Sequence, residues 1–415
     1  MARALESAKA GVWIAIIIII AILAAYGGYY TGLEEGLRRG SGVGPTLPSS
    51  IKIGVIRSDV AHALEVLNGI QLARDLLNNK SYEVSRNVTL STPYSYVESP
   101  DSVRYLVASL INEDVKVMIG ALSNSEIKAI LQMLHQNDTI LLLVSNEVYD
   151  DDVYDDPRVI KMLGGPDVEA RVMVDLALEV DKEDLRAAVV VANDSYCLRL
   201  ANAISEGYSS RGGRVVSRVL YELGKTNITE GLINVNSSSP AVIFFVGRRG
   251  DAPTILEVAC NVSLKAKWIL SSASAGDDLL KEHLASCLSG SCFIVRQNVT
   301  SMPRFRDFVE LYRKVYHSEP NEMAAYGFDA LVLATLSIAY AGKYDGLTIR
   351  GAMGMLCNLI GGVTEPRFLD LKGNVIREYA ILRLIGAYGD YKFEEVGRWV
   401  PISVEEALIE WWRMD

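Results

Sequence analysis

Ala187-Ala188-Val189-Val190-Val191-Ala192-Asn193-Asp194-Ser195-Tyr196 sets an unbroken apolar run against a polar turn, and a helical pattern over Leu198 to Ser210 follows. An apolar run without alternation reads as a strand buried on both faces, as parallel sheets require. Ile140-Leu141-Leu142-Leu143-Val144 has the same character. Working outward, Ile51 to Ile56 and Val115 to Gly120 read as strands. Between and after them Leu64, Leu67, Ile70, Leu72, Ala73, Leu76 and Leu77, then Ile127, Ile130, Leu131 and Leu134, recur near helical spacing. The alternation restarts with a helix over Val168 to Val180. Strands over Arg214–Tyr221, Ala241–Gly247, Trp268–Leu270 and Cys292–Val295 follow. The fold class is therefore α/β, with two doubly wound Rossmann-like halves in tandem. A long helical pattern from Met323 to Tyr340 comes afterwards and needs a lobe to pack on.

Ligands of open α/β sheets bind outside the carboxyl ends of the strands. The segments there are Arg57-Ser58-Asp59, Ala121 to Ser125, Ser145-Asn146-Glu147, Asn193 to Tyr196, Arg248-Arg249 and Ser271-Ser272. Their hydroxyls, amides and charges suit a small polar ligand. Ser123, Asn124 and Ser125 read either as donors to a carboxylate at a helix N-terminus or as an ordinary helix cap. Arg248 and Arg249 read as a clamp for a carboxylate or phosphate, or as a solvated pair.

The chain has 415 residues, half of them hydrophobic, with a formal net charge of -10. That charge argues against a nucleic-acid partner. The histidines, His62, His135, His283 and His317, are scattered, and neither a P-loop nor a GxSxG is present. Nothing argues for catalysis or a cofactor. No metal-ligand spacing accompanies Cys197, Cys260, Cys287, Cys292 and Cys357, and a disulfide is expected between Cys287 and Cys292. The acidic run Asp150 to Asp156 lacks the Gly and closing Glu of an EF-hand and reads as a solvated loop. Glu405 to Arg413 reads as a short amphipathic helix.

Ala10 to Leu33 carries no charged side chain. As a helix it extends about 36 Å, enough to cross a bilayer. Tyr26, Tyr29 and Tyr30 fall at its end, where amphipathic rings favour headgroups. The expectation is an N-terminal membrane anchor over 1–33, a flexible linker over 34–50 and the remainder outside the cell. Lys9-Ala10-Gly11 is similar to pilin-like signal peptides, which are cut before the apolar run and keep it. Eight Asn-x-Ser/Thr sites, at Asn79, Asn87, Asn137, Asn193, Asn227, Asn236, Asn261 and Asn298, exceed chance and support a glycosylated, extracellular surface.

Several motifs carry a family resemblance. They are Lys52-Ile53-Gly54-Val55 with Leu67-Asn68-Gly69-Ile70, Val117 to Gly120 before a Ser-rich turn, and Val189 to Tyr196. Tyr326-Gly327-Phe328-Asp329-Ala330, Phe368 to Asn374 and Val396-Gly397-Arg398-Trp399 complete the series. In order and spacing they resemble the type I periplasmic binding proteins, specifically the branched-chain amino-acid receptors of ABC transporters. The resemblance implies two lobes joined by a three-strand hinge, lobe 1 over 51–164 plus 298–364 and lobe 2 over 165–297 plus 365–400, with a tail over 401–415. It implies capture of a small polar solute, amino acid-like or anionic, by hinge closure, and delivery to an ABC permease with its ATPase. A sensor ectodomain of the same fold, or less readily an extracellular enzyme, is the alternative. The ligand residues it implies are Ser123, Asn124, Ser125, Ser145, Asn146, Glu147, Tyr196, Arg248 and Ser272, with Tyr196 at the ligand-stacking position. Departures are Cys197 in place of Gly, Arg248 in place of an aromatic, and Ser272 where an acidic partner for a ligand ammonium usually stands. Glu147 or Asp59 would have to supply that charge.

Overall fold

The computed structural model describes residues 50–78, 87–91, 96, 97, 99–145, 151–225, 227–297 and 299–412. The expected membrane anchor, and the linker before Ser50, lie outside the described residues. The chain opens with β1 (Ser50–Ser58), α1 (Ala63–Leu77), β2 (Asn87–Ser91), β3 (Tyr96–Val97), α2 (Pro100–Asn112), β4 (Val117–Ala121) and α3 (Asn124–Gln136). It continues through β5 (Ile140–Leu143), α4 (Asp151–Tyr154), β6 (Val159–Lys161), α5 (Pro166–Val180), β7 (Arg186–Ala192) and α6 (Ser195–Ser210). Next come β8 (Arg214–Tyr221), α7 (Thr229–Ser238), β9 (Val242–Val246), α8 (Ala252–Asn261), β10 (Lys267–Leu270), α9 (Glu282–Leu288) and β11 (Cys292–Gln297). Three helices follow: α10 (Pro303–Tyr316), α11 (Glu322–Ala341) and α12 (Gly346–Ile360). The last elements are β12 (Phe368–Leu369), β13 (Val375–Ile376), β14 (Tyr379–Ala387), β15 (Asp390–Pro401) and β16 (Ala407–Trp411).

Two units result. Unit 1 holds the described residues up to Leu163 with Val299–Ile376, and unit 2 holds Gly164–Asn298 with the described residues from Arg377 on. The third division falls beyond the expected 364/365. The reason is local pairing: β12 and β13 pair antiparallel, Lys161 N–H donates to Gly373 at 2.7 Å, and Arg350 donates to the carbonyl of Leu371 at 2.7 Å. These bonds keep the β12–β13 hairpin with unit 1.

In unit 1 the strand order is β2-β1-β4-β5-β6, all parallel, with β3 also against β1. The fully apolar β5 is buried throughout, as a strand covered on both faces must be. Helix α11 is long and apolar enough to cross a membrane, yet Met323 to Ile338 are all buried in the core of unit 1. It packs on α1 through glycine: a Cβ on Gly69 would lie 1.8 Å from the Ala324 carbonyl oxygen, and one on Gly327 would lie 2.3 Å from that of Val66. Asp329, from the Tyr326–Ala330 motif, is buried and accepts from Val363 N–H (2.8 Å), Thr364 N–H (2.7 Å) and Thr364 Oγ1 (2.6 Å). Its place in the motif is thus architectural: it holds the turn after α12.

In unit 2 the order β8-β7-β9-β10-β11 is parallel, and β14, β15 and β16 extend the sheet antiparallel. The C-terminal segment is therefore a strand, not the expected helix. Ala407–Trp411 pairs with Gly397–Pro401, and Gly397 leaves room for the Glu410 carbonyl, which a Cβ would meet at 2.5 Å. The expected Cys287–Cys292 disulfide is also corrected, because Cys260 pairs with Cys287. Cys292 begins β11 and is buried, whereas Cys260 and Cys287 lie on the neighbouring helices α8 and α9.

Candidate functional site

Both sheets reverse strand order beside their first strand, between β1 and β4 and between β7 and β9. Such switch points open a crevice at the strand carboxyl ends. In unit 1 that end carries Ser58, whose hydroxyl donates to the Ala121 carbonyl at 2.7 Å. Ser123 N-caps α3 in a capping box: its N–H and Oγ donate to Glu126 Oε2 at 2.7 and 2.8 Å. The Ser125 hydroxyl lies 3.2 Å from that of Ser123. Asn124 and Ser145 are half-buried, the first opening α3 and the second just beyond β5. The structure thus brings Ser123, Asn124 and Ser125 together, with the capping role of Ser123 explicit. Asn146 and Glu147 lie outside the described residues. Asp59 is exposed, and His62 Nδ1 accepts a 3.2 Å hydrogen bond from Asn321 Nδ2.

Unit 2 carries a tighter arrangement. Asp194 caps α6 by accepting from Cys197 N–H at 2.9 Å, which fixes the turn after β7 and places Tyr196 in the first helical turn. Tyr196 is buried and its hydroxyl donates to Glu169. Ser272, beyond β10, donates its N–H to the other Glu169 oxygen at 2.6 Å. The Arg248 guanidinium lies 5.4 Å over the Tyr196 ring and donates twice to Asp194, at 3.1 Å each. The buried Ser274, also beyond β10, has its hydroxyl 2.8 Å from that of Ser271 and donates to the Gly247 carbonyl at 3.1 Å. Three expected residues, Tyr196, Arg248 and Ser272, therefore converge. Arg249 is exposed and lies against Gly276, where a Cβ would meet its side chain at 2.4 Å.

Glu169 is the residue that the sequence did not single out. It sits in the first turn of α5, after Pro166, where carboxylates are ordinary because the helix dipole favours them. It is buried, and burial pushes its carboxyl above the usual glutamate range, although the hydrogen bonds from Tyr196 and Ser272 oppose the shift. A carboxylate thus does reach the Ser272 position, delivered from α5.

Among the described residues no group of His, Cys, Asp or Glu has the arrangement to hold a metal ion. In the acidic run, Asp155 pairs with Lys372 at 3.3 Å and Asp156 with His135 at 2.5 Å.

The family model for periplasmic binding proteins matches residues 50–387. No curated protein matches the chain. Among solved structures, a putative branched-chain amino acid ABC transporter protein from Rhodospirillum rubrum is 18% identical, with TM-score 0.65 over 83% of this chain and 99% of that one. The leucine-binding protein LivK of Thermotoga maritima is 21% identical, with TM-score 0.56 over 83% and 97%. A solute-binding protein of R. palustris in complex with benzoate is 15% identical, with TM-score 0.53 over 83% and 96%. These likenesses identify the type I fold, and with the match over residues 50–387 they establish that the chain belongs to the periplasmic binding protein family.

Proposed function

We propose that the chain is the solute-binding protein of an ABC importer. It would be held at the membrane by residues 1–33 and would work on the extracytoplasmic side, without catalysing a reaction. The observation that carries the reading is the convergence of Tyr196, Arg248 and Ser272 at the strand ends of unit 2, on a fold whose family binds solutes. Closure of the two units around the solute would bury it, and the closed form would dock on a permease that its ATPase drives. The Ser123–Ser125 turn and Ser145 supply the hydroxyl and amide partners from unit 1.

The extracytoplasmic placement draws on two features. The Cys260–Cys287 disulfide suits an oxidising compartment. Asn193, Asn227, Asn236 and Asn261 are exposed, as glycosylation acceptors must be. Affinity in the micromolar range requires about 8 kcal/mol, which several charge-assisted hydrogen bonds and modest apolar burial supply. Native mass spectrometry of the protein purified from its own cells tests the reading. A single small molecule bound one to one supports it; turnover of a carried molecule contradicts it.

A further inference from the structure

Helix α12 turns an apolar, uncharged face outward. Leu347, Met355 and Leu359 are 62%, 55% and 64% exposed. With the exposed Gly351 they form one row at four-residue spacing, and such a row is a ridge on a helix surface. The inner face of the helix, Ile349, Met353, Leu356 and Cys357, already lies in the core of unit 1, so the outer row adds nothing to the packing of that unit. Gly354 and Asn358, the other exposed positions of α12, carry no charge either. The one charged side chain of the helix, Arg350, donates to the carbonyl oxygens of Pro157 at 2.6 Å and Leu371 at 2.7 Å. It thereby fastens Leu371, 86% exposed, beside the same helix. Single exposed hydrophobics are ordinary, but a row of them backed by a fourth marks an interaction surface.

The composition of the row indicates what covers it. Set antiparallel against a copy of itself, the row pairs position 347 with 359 and position 351 with 355. Leu347 then meets Leu359, and Met355 enters the space that Gly351 leaves open, each twice about a two-fold axis beside Met353. Among the described residues no atom lies within 4 Å of where a Gly351 Cβ would stand, so nothing within the chain uses that space. A glycine inside an exposed helix is also less favourable than alanine, which leaves its presence unaccounted for in the single chain. Charge favours a second copy as well. Each chain carries a formal net charge of -10, so acidic surfaces of two copies repel. The uncharged row escapes that repulsion, and it offers no ion pair to a charged partner.

We propose that α12 is the interface of a two-fold dimer, its outer row packed antiparallel on the same row of a second copy. Two such rows lie side by side when the helices cross at about -50°. The contact is isologous and self-limiting, so it closes at two chains. One helix pair covers less than the roughly 2,000 Å² or more of obligate dimers, so the association is reversible and falls in the micromolar range. The proposal goes beyond the solute-binding reading and does not depend on it, because α12 belongs to unit 1 and the strand ends of unit 2 take no part.

The test is sedimentation equilibrium of the full chain in density-matched detergent micelles, across micromolar concentrations. The expected result is a monomer–dimer equilibrium that Met355→Glu and Leu359→Glu each weaken by about tenfold or more, since each places an unpaired charge in the contact. Both side chains are exposed in the single chain, so thermal unfolding should be unchanged, and either variant serves if the other does not fold. The register has its own test. Leu347→Lys combined with Leu359→Glu sets opposite charges across the two-fold axis twice, and should dimerise about threefold or more tightly than Leu359→Glu alone. A chain that stays monomeric at every concentration overturns the proposal and leaves the row to a different protein. A dimer that both glutamate variants leave intact places the contact on another surface, the apolar N-terminal segment included, and overturns it too. A combined variant no tighter than Leu359→Glu alone overturns the antiparallel pairing.

Discussion

Gly69→Ala should separate two opposite effects of one methyl group. Alanine raises helix propensity over glycine by up to about 1 kcal/mol. At Gly69, however, the new Cβ would stand 1.8 Å from the Ala324 carbonyl oxygen, 2.7 Å from its carbon and 3.0 Å from Phe328 N. All three are backbone atoms, so no side chain can swing aside. Restoring ordinary contact requires α1 and α11 to part by about 1.5 Å, and a gap of that size forfeits more than half of each dispersion contact across it. Val66, Ile70, Phe328 and Leu331 are buried in the core cluster that this helix pair shares. Each is worth about 1.5–3 kcal/mol when fully buried, so losing a good part of two or three costs about 3–4 kcal/mol. Net of the helix gain, Gly69→Ala should destabilise unit 1 by about 2–3 kcal/mol, or about 5–10 °C in Tm for a unit of this size. Gly354→Ala on α12 is the control: no atom lies within 4 Å of its Cβ position. It should leave Tm unchanged or raise it by a few degrees, about 0.5–1 kcal/mol. Thermal unfolding followed by circular dichroism reads both. A Gly69→Ala protein as stable as the parent would refute the claim that the two helices touch backbone to backbone.

Two further outcomes follow from covalent and buried polar groups. Replacing both Cys260 and Cys287 by alanine opens a loop of 27 residues' separation; the chain-entropy estimate puts the loss at about 3.5 kcal/mol, and denaturant unfolding of the double variant measures it. For Glu169, the folded carboxyl titrates above its unfolded value because of burial, so the folded state holds the extra proton. Its contribution to stability is full below the unfolded pKa and is lost as pH rises through the raised folded one. Glu169→Gln should therefore gain stability relative to the parent as pH climbs from the ordinary glutamate range toward neutrality. Parallel Tm–pH curves for the two proteins would contradict that.

The parts of the fold that the sequence disclosed are those where one periodicity had no rival. Ile140–Leu143 and Ala187–Ala192 are unbroken apolar runs, and the structure buries them in parallel sheets. Tyr196, Arg248 and Ser272 followed from their places after strands, since the switch points of such sheets are positional. Glu169 did not follow, because a carboxylate in the first turn of a helix looks like any other dipole-complementing residue. Its meaning comes from Tyr196 and Ser272, 27 and 103 positions away. Similarly, Ala407–Trp411 is too short for either pattern to prevail, and pairing with β15 decides it. Closeness in sequence favours Cys292 as the partner of Cys287, but β11 holds Cys292 in the sheet interior and Cys260 pairs instead.

The central claim is that the strand ends of unit 2 hold the solute. Calorimetric titration of Tyr196→Ala, using the molecule released from native protein, tests it most directly. The account predicts a protein that remains folded and whose affinity falls at least tenfold, because the variant removes both the ring and the hydroxyl that fixes Glu169. An affinity equal to that of the parent, in a folded variant, would place the solute elsewhere and contradict the account.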